Sequence, residues 1–331
     1  MQIRILKPGM LSTLQDLGRV GYLSQAVPVS GAMDTLSARI ANKAVGNEDG
    51  AAVIEFTYAN AVFKAETDIL MAYAGKGAIF KTGEQELPAE RPLFIPAGTV
   101  IDLINDNTGS RIYLAIAGGW DVPLVLGSRS TYLTATLGGL NGRALKAGDL
   151  LNNAGNLTKV AKNMLSKLKG SVINYNEISI PRQLLLTPAN QMIRIVPARE
   201  FTWFDANSIT NFLSTGYTLS MRSNRMGYHL EGAMINRIKK DELFSTAVTP
   251  GTIQVTGNGS MILLMADGQT TGGYPRIAQV AAVDLPICAQ LKPGDTIFFK
   301  EISRQAAEIL YLEREQQLRK LTMAISSRFM Q

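Results

Sequence analysis

Residues 142–151 read GRALKAGDLL and residues 288–297 read CAQLKPGDTI, so Leu-Lys-x-Gly-Asp occurs twice in one chain of 331 residues. Each copy follows two further matching stretches in the same order. In the first half these are Ala97-Gly98-Thr99 and RIYLAIAGG (111–119), and in the second half they are Pro250-Gly251-Thr252 and MILLMADG (261–268). A shared order of matches indicates an internal duplication. The sequence therefore predicts two related lobes.

The segments between these matches favour strands. Short runs rich in Ile, Val, Leu, Phe and Tyr alternate with Gly, Pro and Asn-Asp, and such runs are typical of β structure. They are residues 3–6, 53–56, 69–73, 93–96, 100–104, 112–117, 193–196, 252–255, 261–265 and 296–299. Helical patterns are few: one opens at Asp34 as N-cap and stops at Gly46, one covers 201–213, and one covers 303–321. The predicted class is mainly β (α+β).

The predicted organisation has four parts. An N-terminal β-rich lobe covers 1–151, a connecting segment covers 152–190, a C-terminal β-rich lobe covers 191–300, and a C-terminal helix covers 301–331. The basic run from Lys159 to Lys169 lies in the connecting segment, where it is interpreted as a linker or a surface helix.

Composition excludes several classes of protein. A hydrophobic fraction of 46% with 18% charged residues is typical of globular proteins and excludes disorder as the main state. No apolar run approaches the roughly 20 residues that span a bilayer, and the N-terminus turns polar at Lys7, too early for a signal peptide. We therefore expect a cytoplasmic protein without a membrane partner. The scattered basic residues, despite a net charge of +6, predict no nucleic-acid partner.

Metal and phosphate sites have little support in the sequence. One His and one Cys cannot supply the usual ligands of a structural zinc ion, so no metal is predicted. Gly75-Lys76-Gly77 lacks the spacing of a phosphate-binding loop.

Three segments combine glycine with polar side chains, and loops of this kind often bind ligands. The candidates in the segment 12–34 are Gln15, Asp16, Arg19, Tyr22, Ser30 and Asp34. The candidates in RSNRMGYHL (222–230) are Arg225 and Tyr228. The candidates in the segment 267–286 are Gln269, Thr270, Thr271, Gly272, Gly273, Tyr274 and Arg276.

The chemistry of these residues fits an anionic ligand. Gly272-Gly273 could bring backbone N–H groups close to an anion, and Arg225 and Arg276 could clamp a carboxylate or phosphate. The alternatives are a tight turn for the glycines and surface salt bridges for the arginines. Ser30 lacks the G-x-S-x-G context of an activated nucleophile. The single histidine, His229, is either a general base or a half-buried side chain with a satisfied nitrogen.

Six ordered motifs carry a resemblance to a known family. They are TLQDLGRVGY, VPVSGAMD, LAIAGGWDVPLVLGSRST, GGLNGRALKAGDLL, SNRMGYHLEG and DGQTTGGYPRIAQVAAVDLPICAQLKPGDTI. Together they resemble allophanate hydrolase subunit 2, or the biotin-dependent carboxyltransferase family, from about residue 5 to 300. The family includes the C subunit of 5-oxoprolinase, the antagonist of a sporulation-kinase inhibitor, and half of the carboxyltransferase region of urea carboxylase.

The resemblance implies two cyclophilin-like β-barrel lobes and an obligate partner of the subunit 1 type, the B subunit of 5-oxoprolinase. It implies a hydrolase subunit that, with the A and B subunits, opens the cyclic amide 5-oxoproline to glutamate using ATP. Arg225, Gln269 and Arg276 are then the expected catalytic residues, and the other candidates bind substrate.

The resemblance leaves two alternatives. One is a carboxyltransferase subunit whose biotin comes from a separate carrier, and the other is a non-catalytic antagonist of the kinase inhibitor. The family commonly has arginine at the position of His229, which implies that the chemistry does not depend on this imidazole.

Overall fold

The computed structural model describes residues 1–186, 192–239, 241 and 243–330, and it confirms the mainly β class. Contacts divide the described residues into two units. Unit 1 holds Met1–Arg19, Asp34–Leu185 and the end of the chain from Gln316. Unit 2 holds Val20–Met33 and the residues from Leu186 to Glu315.

Unit 1 contains two six-stranded sheets, two whole helices and the C-terminal part of a third. Its strands are β1 (Gln2–Pro8), β2 (Leu11–Gln15), β3 (Val53–Thr57), β4 (Ala61–Ala65), β5 (Ile69–Lys76), β6 (Ala78–Thr82), β7 (Gln85–Leu87), β8 (Leu93–Ile95), β9 (Val100–Asn105), β10 (Arg111–Ile116), β11 (Leu150–Asn152) and β12 (Asn174–Tyr175). The strand orders are β11-β1-β4-β9-β6-β7 and β12-β8-β5-β10-β3-β2. Side chains of both sheets form one core, in which Tyr73 stacks on Phe80 with ring centroids 3.9 Å apart.

Two helices complete this unit, α1 (Thr35–Ala44) and α2 (Lys159–Leu168). Helix α1 begins where expected, because the Asp34 carboxylate accepts a hydrogen bond from the Ser37 N–H at 2.9 Å. It packs on β5 and β10.

Unit 2 contains a closed seven-stranded barrel. The nine strands described in unit 2 are β13 (Met192–Pro197), β14 (Tyr217–Leu219), β15 (Gly227–Glu231), β16 (Thr246–Ala247), β17 (Thr252–Val255), β18 (Met261–Leu264), β19 (Thr271–Gly272), β20 (Arg276–Val280) and β21 (Thr296–Glu301). Seven of them form the barrel. The order around the barrel is β13-β20-β17-β18-β15-β14-β21, and β13 closes it by parallel pairing with β21. β16 and β19 form a separate ribbon. The remaining helices are α3 (Ala206–Ser214), α4 (Leu285–Cys288) and α5 (Arg304–Met330).

The structure differs from the sequence expectations in the boundaries of the lobes. Residues 152–185, expected to connect two lobes, belong to unit 1, where α2 buries Val160, Met164 and Leu168 in spite of its lysines. Residues 187–190 of that segment, and residue 191 at the expected start of the second lobe, lie outside the described residues. The closed barrel is in unit 2, whereas the described strands of unit 1 form two sheets.

The helices also differ in extent. The segment expected to be helical from residue 201 begins with a 3₁₀ turn at Phe201–Trp203 before α3 starts at Ala206, and the C-terminal helix continues to Met330. Within the described part of the chain, no helix has the length and hydrophobicity needed to cross a membrane.

The repeated Leu-Lys-x-Gly-Asp sequence forms the same turn in both units. The Lys146 N–H donates to the Asp149 carboxylate at 2.7 Å, and the Lys292 N–H donates to the Asp295 carboxylate at 2.9 Å. The glycines, Gly148 and Gly294, have φ of +91° and +92°. The two copies of this sequence therefore have the same local structure.

Arg-x-Gly-Tyr also occurs twice in the sequence, at residues 19–22 and 225–228, but its two copies differ in structure. Tyr228 lies on β15 and is buried in the barrel core, whereas Tyr22 is half-buried and precedes a 3₁₀ turn at Leu23–Gln25. The pattern does not mark two equivalent elements, because one copy is a strand and the other is a loop.

Gly75 provides a test of the sheet packing in unit 1. A Cβ at Gly75, where φ is +127°, would lie 2.3 Å from the Arg111 carbonyl oxygen on the paired strand. We expect Gly75→Ala to lower the free energy of unfolding by about 3 kcal/mol, measured by urea denaturation, because the backbone strands must separate. Gly83→Ala is the control: its φ is +55° but no atom lies within 4 Å, so only about 1 kcal/mol of conformational strain is expected. Equal losses in the two variants would contradict this.

Candidate functional site

A buried ion pair in unit 2 joins Arg225 and Asp267. Arg225 precedes β15 and Asp267 follows β18, and these strands are neighbours in the barrel, with Gly227 opposite Leu264. The Asp267 N–H donates to the Arg225 carbonyl oxygen at 2.9 Å. The Arg225 guanidinium then donates from Nε to Oδ2 at 2.8 Å and from Nη2 to Oδ1 at 3.2 Å. The geometry is bidentate, which gives a strong and directional charge pair.

Ser30 completes this arrangement. Its Oγ donates to Asp267 Oδ1 at 2.5 Å, and its N–H donates to the Ala266 carbonyl oxygen at 3.0 Å. The next residue, Gly31, accepts a hydrogen bond from Arg225 Nη2 through its carbonyl oxygen at 2.7 Å. The segment VPVSGAMD is thus fixed to the end of the barrel. We call these residues the Ser30–Asp267–Arg225 network.

Arg276 forms a second ion pair in unit 2, with Glu200. Nε donates to Oε2 and Nη2 donates to Oε1, both at 2.7 Å. Burial would raise the pKa of the Glu200 carboxyl, but the hydrogen bonds and charge of Arg276 outweigh burial and leave this pKa lowered. The positive charge of Arg276 is therefore already balanced by a buried carboxylate.

The two arginines lie at opposite ends of the barrel. Asp267 follows the C-terminal end of β18, whereas Arg276 starts β20 beside Gln254, near the C-terminal end of β17. Because β17 and β18 are antiparallel, these are opposite ends. The structure brings Arg225 together with Ser30, and it does not place Arg276 in the same cluster.

Packing explains why the segment between Asp267 and Arg276 contains glycine. Gly272 pairs with Thr246 in the small ribbon, and a Cβ at Gly272 would lie 2.4 Å from Nε2 of the buried Gln254. Gln269 Nε2 donates weakly to Gln254 Oε1 at 3.3 Å. Thr270 is buried, while Gln269, Thr271, Gly273 and Tyr274 are exposed. Neither glycine has the positive φ typical of an anion-binding nest.

In unit 1, Asp16 accepts hydrogen bonds from the loop that contains GSRST (127–131). Ser128 Oγ and Ser130 Oγ donate to Oδ1 at 2.6 and 2.5 Å, and the Arg129 N–H donates to Oδ2 at 2.5 Å. Arg19 is fully buried and donates from Nη2 to the Ser130 carbonyl oxygen. Gln15 reaches the same loop by donating to the Thr131 carbonyl oxygen at 3.1 Å. These three candidates come together and hold one loop in place.

Asp34 belongs to another buried cluster of unit 1. Its carboxylate accepts from Arg182 Nη2 at 2.7 Å, and its N–H donates to the Tyr113 hydroxyl oxygen at 2.7 Å. Tyr113 in turn donates to Glu55 at 2.8 Å. Burial, followed by the charges of Glu55 and Asp34, raises the pKa of Tyr113 well above its usual value. Tyr113 is therefore a neutral hydrogen-bonding group in the physiological range.

Sequence reasoning missed the charged partners of these residues. Asp267 opens the DGQTTGG segment from which candidates were taken, so a signal was present: an aspartate directly after a buried strand. Glu200, Arg182 and Glu55 carry no such signal, because their partners are 76, 148 and 58 residues away. Within the described ranges, no group of three or more His, Cys, Asp or Glu side chains could hold a metal ion.

The Glu200 pKa predicts a pH-dependent stability. Glu200→Gln is expected to lower the free energy of unfolding at pH 7 by about 2 kcal/mol, because it removes a charged hydrogen-bond partner of Arg276. The folded pKa lies below the usual 4.5, so the contribution is complete above pH 4.5 and is lost as pH falls through the folded pKa. Urea unfolding across this range should show the difference between wild type and variant shrinking. The exposed Glu86, 3.0 Å from Lys81, is the control: Glu86→Gln should change stability by less than about 0.5 kcal/mol at every pH.

Comparison with known proteins identifies the family. The family model for the carboxyltransferase domain, subdomain A and B, matches residues 25–301. The chain is 37% identical over 305 residues to the C subunit of 5-oxoprolinase from Escherichia coli K12, covering 92% of this chain and 93% of that protein. It is 33% identical over 319 residues to the Haemophilus influenzae protein of the same name, covering 95% of each.

Larger enzymes contain the same fold. Urea amidolyase of Saccharomyces cerevisiae is 32% identical over 324 residues, but the match spans only 17% of that protein. The crystal structure of Kluyveromyces lactis urea carboxylase superposes with a TM-score of 0.85 and 28% identity over 97% of this chain and 29% of that one. From these matches, the chain belongs to the carboxyltransferase-domain family with subdomains A and B.

Proposed function

We propose that this protein is the C subunit of an ATP-dependent 5-oxoprolinase, which opens 5-oxoproline to glutamate together with its A and B subunits in the cytoplasm. The observation that carries the proposal is the end-to-end match: this chain covers 93% and 95% of two proteins named as the C subunit of 5-oxoprolinase. In the urea amidolyases the corresponding region is 17% of a much longer chain. The match therefore extends over nearly all of the two C subunits and over only a small part of the urea amidolyases.

The chemistry of 5-oxoproline fits the polar groups of the barrel. The substrate carries a carboxylate, a lactam carbonyl and a lactam N–H. Its carbonyl carbon reacts slowly with water, and the phosphoryl group of ATP makes the carbonyl oxygen a better leaving group. We assign ATP use to the complex. The contribution of this chain is to bind and orient the cyclic amide, and the Ser30–Asp267–Arg225 network is a set of buried, hydrogen-bonded polar groups in unit 2.

The other expected catalytic residues have a supporting role in this proposal. Arg276 is neutralised by Glu200, and Gln269 is exposed beside Gln254. Both border the glycine-rich segment, so we propose that they shape the surface that meets the partner or the substrate. Arg225 remains the residue whose loss should matter most for turnover.

A second candidate function is carboxyl transfer from biotin on a separate carrier. It is favoured by the TM-score of 0.85 with urea carboxylase. Carboxybiotin and urea also carry amide-type N–H groups, so the same polar groups of unit 2 suit either ligand class. This function requires a biotinylated partner, which an avidin blot of the co-purified complex would reveal.

Reconstitution tests the proposal directly. The protein is mixed with the A and B subunits from its own genome, and glutamate and ADP are measured after addition of 5-oxoproline and ATP. We expect equal amounts of both products, and we expect Arg225→Ala to lower kcat/KM by at least about 100-fold, since Asp267 is left buried without its charge partner.

The control for Arg225→Ala is Arg143→Ala, which removes the bidentate partner of Asp149 in unit 1, with both oxygens at 2.8 Å. It should retain wild-type turnover. Absence of glutamate from the wild-type mixture would refute the oxoprolinase proposal. Stable binding to the B subunit without turnover of any amide would instead support the non-catalytic antagonist.

A further inference from the structure

Helix α5 (Arg304–Met330) has apolar side chains on two faces. On one face Leu318 and Phe329 are buried, with 0% and 4% of their surface exposed. On the other face Ile309, Leu312 and Met323 are 48%, 62% and 63% exposed. Residues spaced alternately by three and four lie in one stripe along a helix. The stripe that contains these exposed side chains, here called the outer stripe, is Ile309, Leu312, Gln316, Arg319 and Met323.

The outer stripe has the spacing of a coiled-coil seam. In heptad notation Ile309, Gln316 and Met323 occupy a positions, and Leu312 and Arg319 occupy d positions. In two antiparallel helices of this kind, each a residue of one helix faces a d residue of the other. Burial of exposed apolar side chains against a second seam is favourable, and a second copy of α5 supplies such a seam.

One antiparallel register places complementary residues opposite each other. When Leu312 faces Met323 of the second copy, Gln316 faces Arg319 of the second copy, and twofold symmetry repeats both contacts. Two apolar layers then flank two central layers, in which the Gln316 amide oxygen accepts from the Arg319 guanidinium. A polar pair at the centre of a seam costs stability but specifies the register.

The charges that flank the seam select the same register. Glu313 follows Leu312, Lys320 follows Arg319, and both charged side chains are exposed. In this register Glu313 of each copy lies beside Lys320 of the other. A shift of one helix by a heptad would put Glu313 against Glu313 or Lys320 against Lys320, and parallel helices would put Arg319 against Arg319. Like charges at these positions oppose the alternative pairings.

We propose that the outer stripe of α5 binds the same stripe of a second copy of this protein, with the two helices antiparallel and Leu312 opposite Met323. Helix α5 begins at Arg304, beyond the residues 25–301 that match the family model, so this surface is an addition to the matched domain in sequence. The paired segment is about 26 Å long at 1.5 Å per residue. An interface of this size is small, so we expect association in the micromolar range.

Sedimentation equilibrium of the full chain tests the inference. We expect the mass to rise from 35.8 kDa toward twice that value between about 1 and 200 µM protein. Leu312→Glu should weaken association at least about 30-fold, because it puts a charge into both apolar layers. Since Leu312 is largely exposed, the melting temperature at low concentration should stay within about 2 °C of wild type. The control is Arg328→Glu, which changes an exposed charge on the opposite side of the same helix and should leave association unchanged.

A charge exchange tests the register. Glu313→Lys and Lys320→Glu should each weaken self-association about 10-fold, because each places like charges together at two contacts. The double variant Glu313→Lys/Lys320→Glu should restore the dimer. An equimolar mixture of the two single variants should also associate, as a heterodimer, since each then supplies the charge that the other lacks. Damage to the fold by either substitution would not be repaired by mixing.

The outcomes are distinct. A wild-type protein that stays at 35.8 kDa over the whole concentration range would overturn the inference, and so would a dimer that Leu312→Glu leaves intact. A dimer whose mixed single variants fail to associate would overturn the antiparallel register. If wild type is monomeric and Leu312→Glu instead weakens binding of the B subunit, the stripe is a site for that partner and the inference is wrong. None of these measurements uses turnover, so each result leaves the oxoprolinase proposal standing.

Discussion

The parallel pairing of β13 with β21 is the constraint on which unit 2 depends. It joins Met192 to Phe298 and Ile195 to Glu301, and it closes a barrel whose other neighbours are all antiparallel. Closure removes the free strand edges and fixes the two ends of the barrel. Within the barrel, the residues before β15 and the residues after β18 meet because these two strands pair, and this places Arg225 beside Asp267. The polar network is thus a consequence of the strand order.

Buried charges position loops in both units. Asp34 with Arg182, Glu200 with Arg276, Asp267 with Arg225 and Asp284 with Arg194 each join segments distant in sequence. Replacing such a pair with apolar side chains is often neutral for stability, whereas removing one partner is costly. Their use here is directional: each carboxylate fixes the orientation of an arginine and the backbone that carries it. In the Ser30–Asp267–Arg225 network the same principle orients a neutral hydroxyl.

Local patterns predicted the local structure well. Strand content, the N-cap at Asp34 and the Leu-Lys-x-Gly-Asp turn depend on neighbouring residues, and these are present in any single stretch of sequence. The lysine-rich segment was interpreted as a linker or a surface helix; it is helix α2, and four apolar residues are buried in spite of its charges. The spacing of the strand-like runs predicted the mainly β class, and the family resemblance supplied the relatives.

The partners of the site residues were harder to predict from the sequence. Arg225 and Arg276 look equivalent in sequence, since each stands near glycine and tyrosine. They differ only through Asp267 and Glu200, partners set by strand order and by chain segments 42 and 76 residues away. Gly272-Gly273 suggested an anion site, yet the buried Gln254 beside Gly272 explains the absence of a side chain by packing. A single sequence does not show which residues, distant along the chain, become partners in the fold.

Neither unit is a continuous piece of the chain, and this affects how the protein can be assembled. Residues 20–33 carry Ser30 to the barrel of unit 2, although every strand of that barrel is synthesised much later. Conversely, unit 1 includes residues that follow the barrel strands in sequence: Lys43 Nζ donates to Thr322 Oγ1 and Asn163 donates to the Phe329 carbonyl oxygen, both at 2.6 Å. Each unit therefore combines segments that are distant along the chain, and a cut near residue 186 would leave each half without part of its own structure.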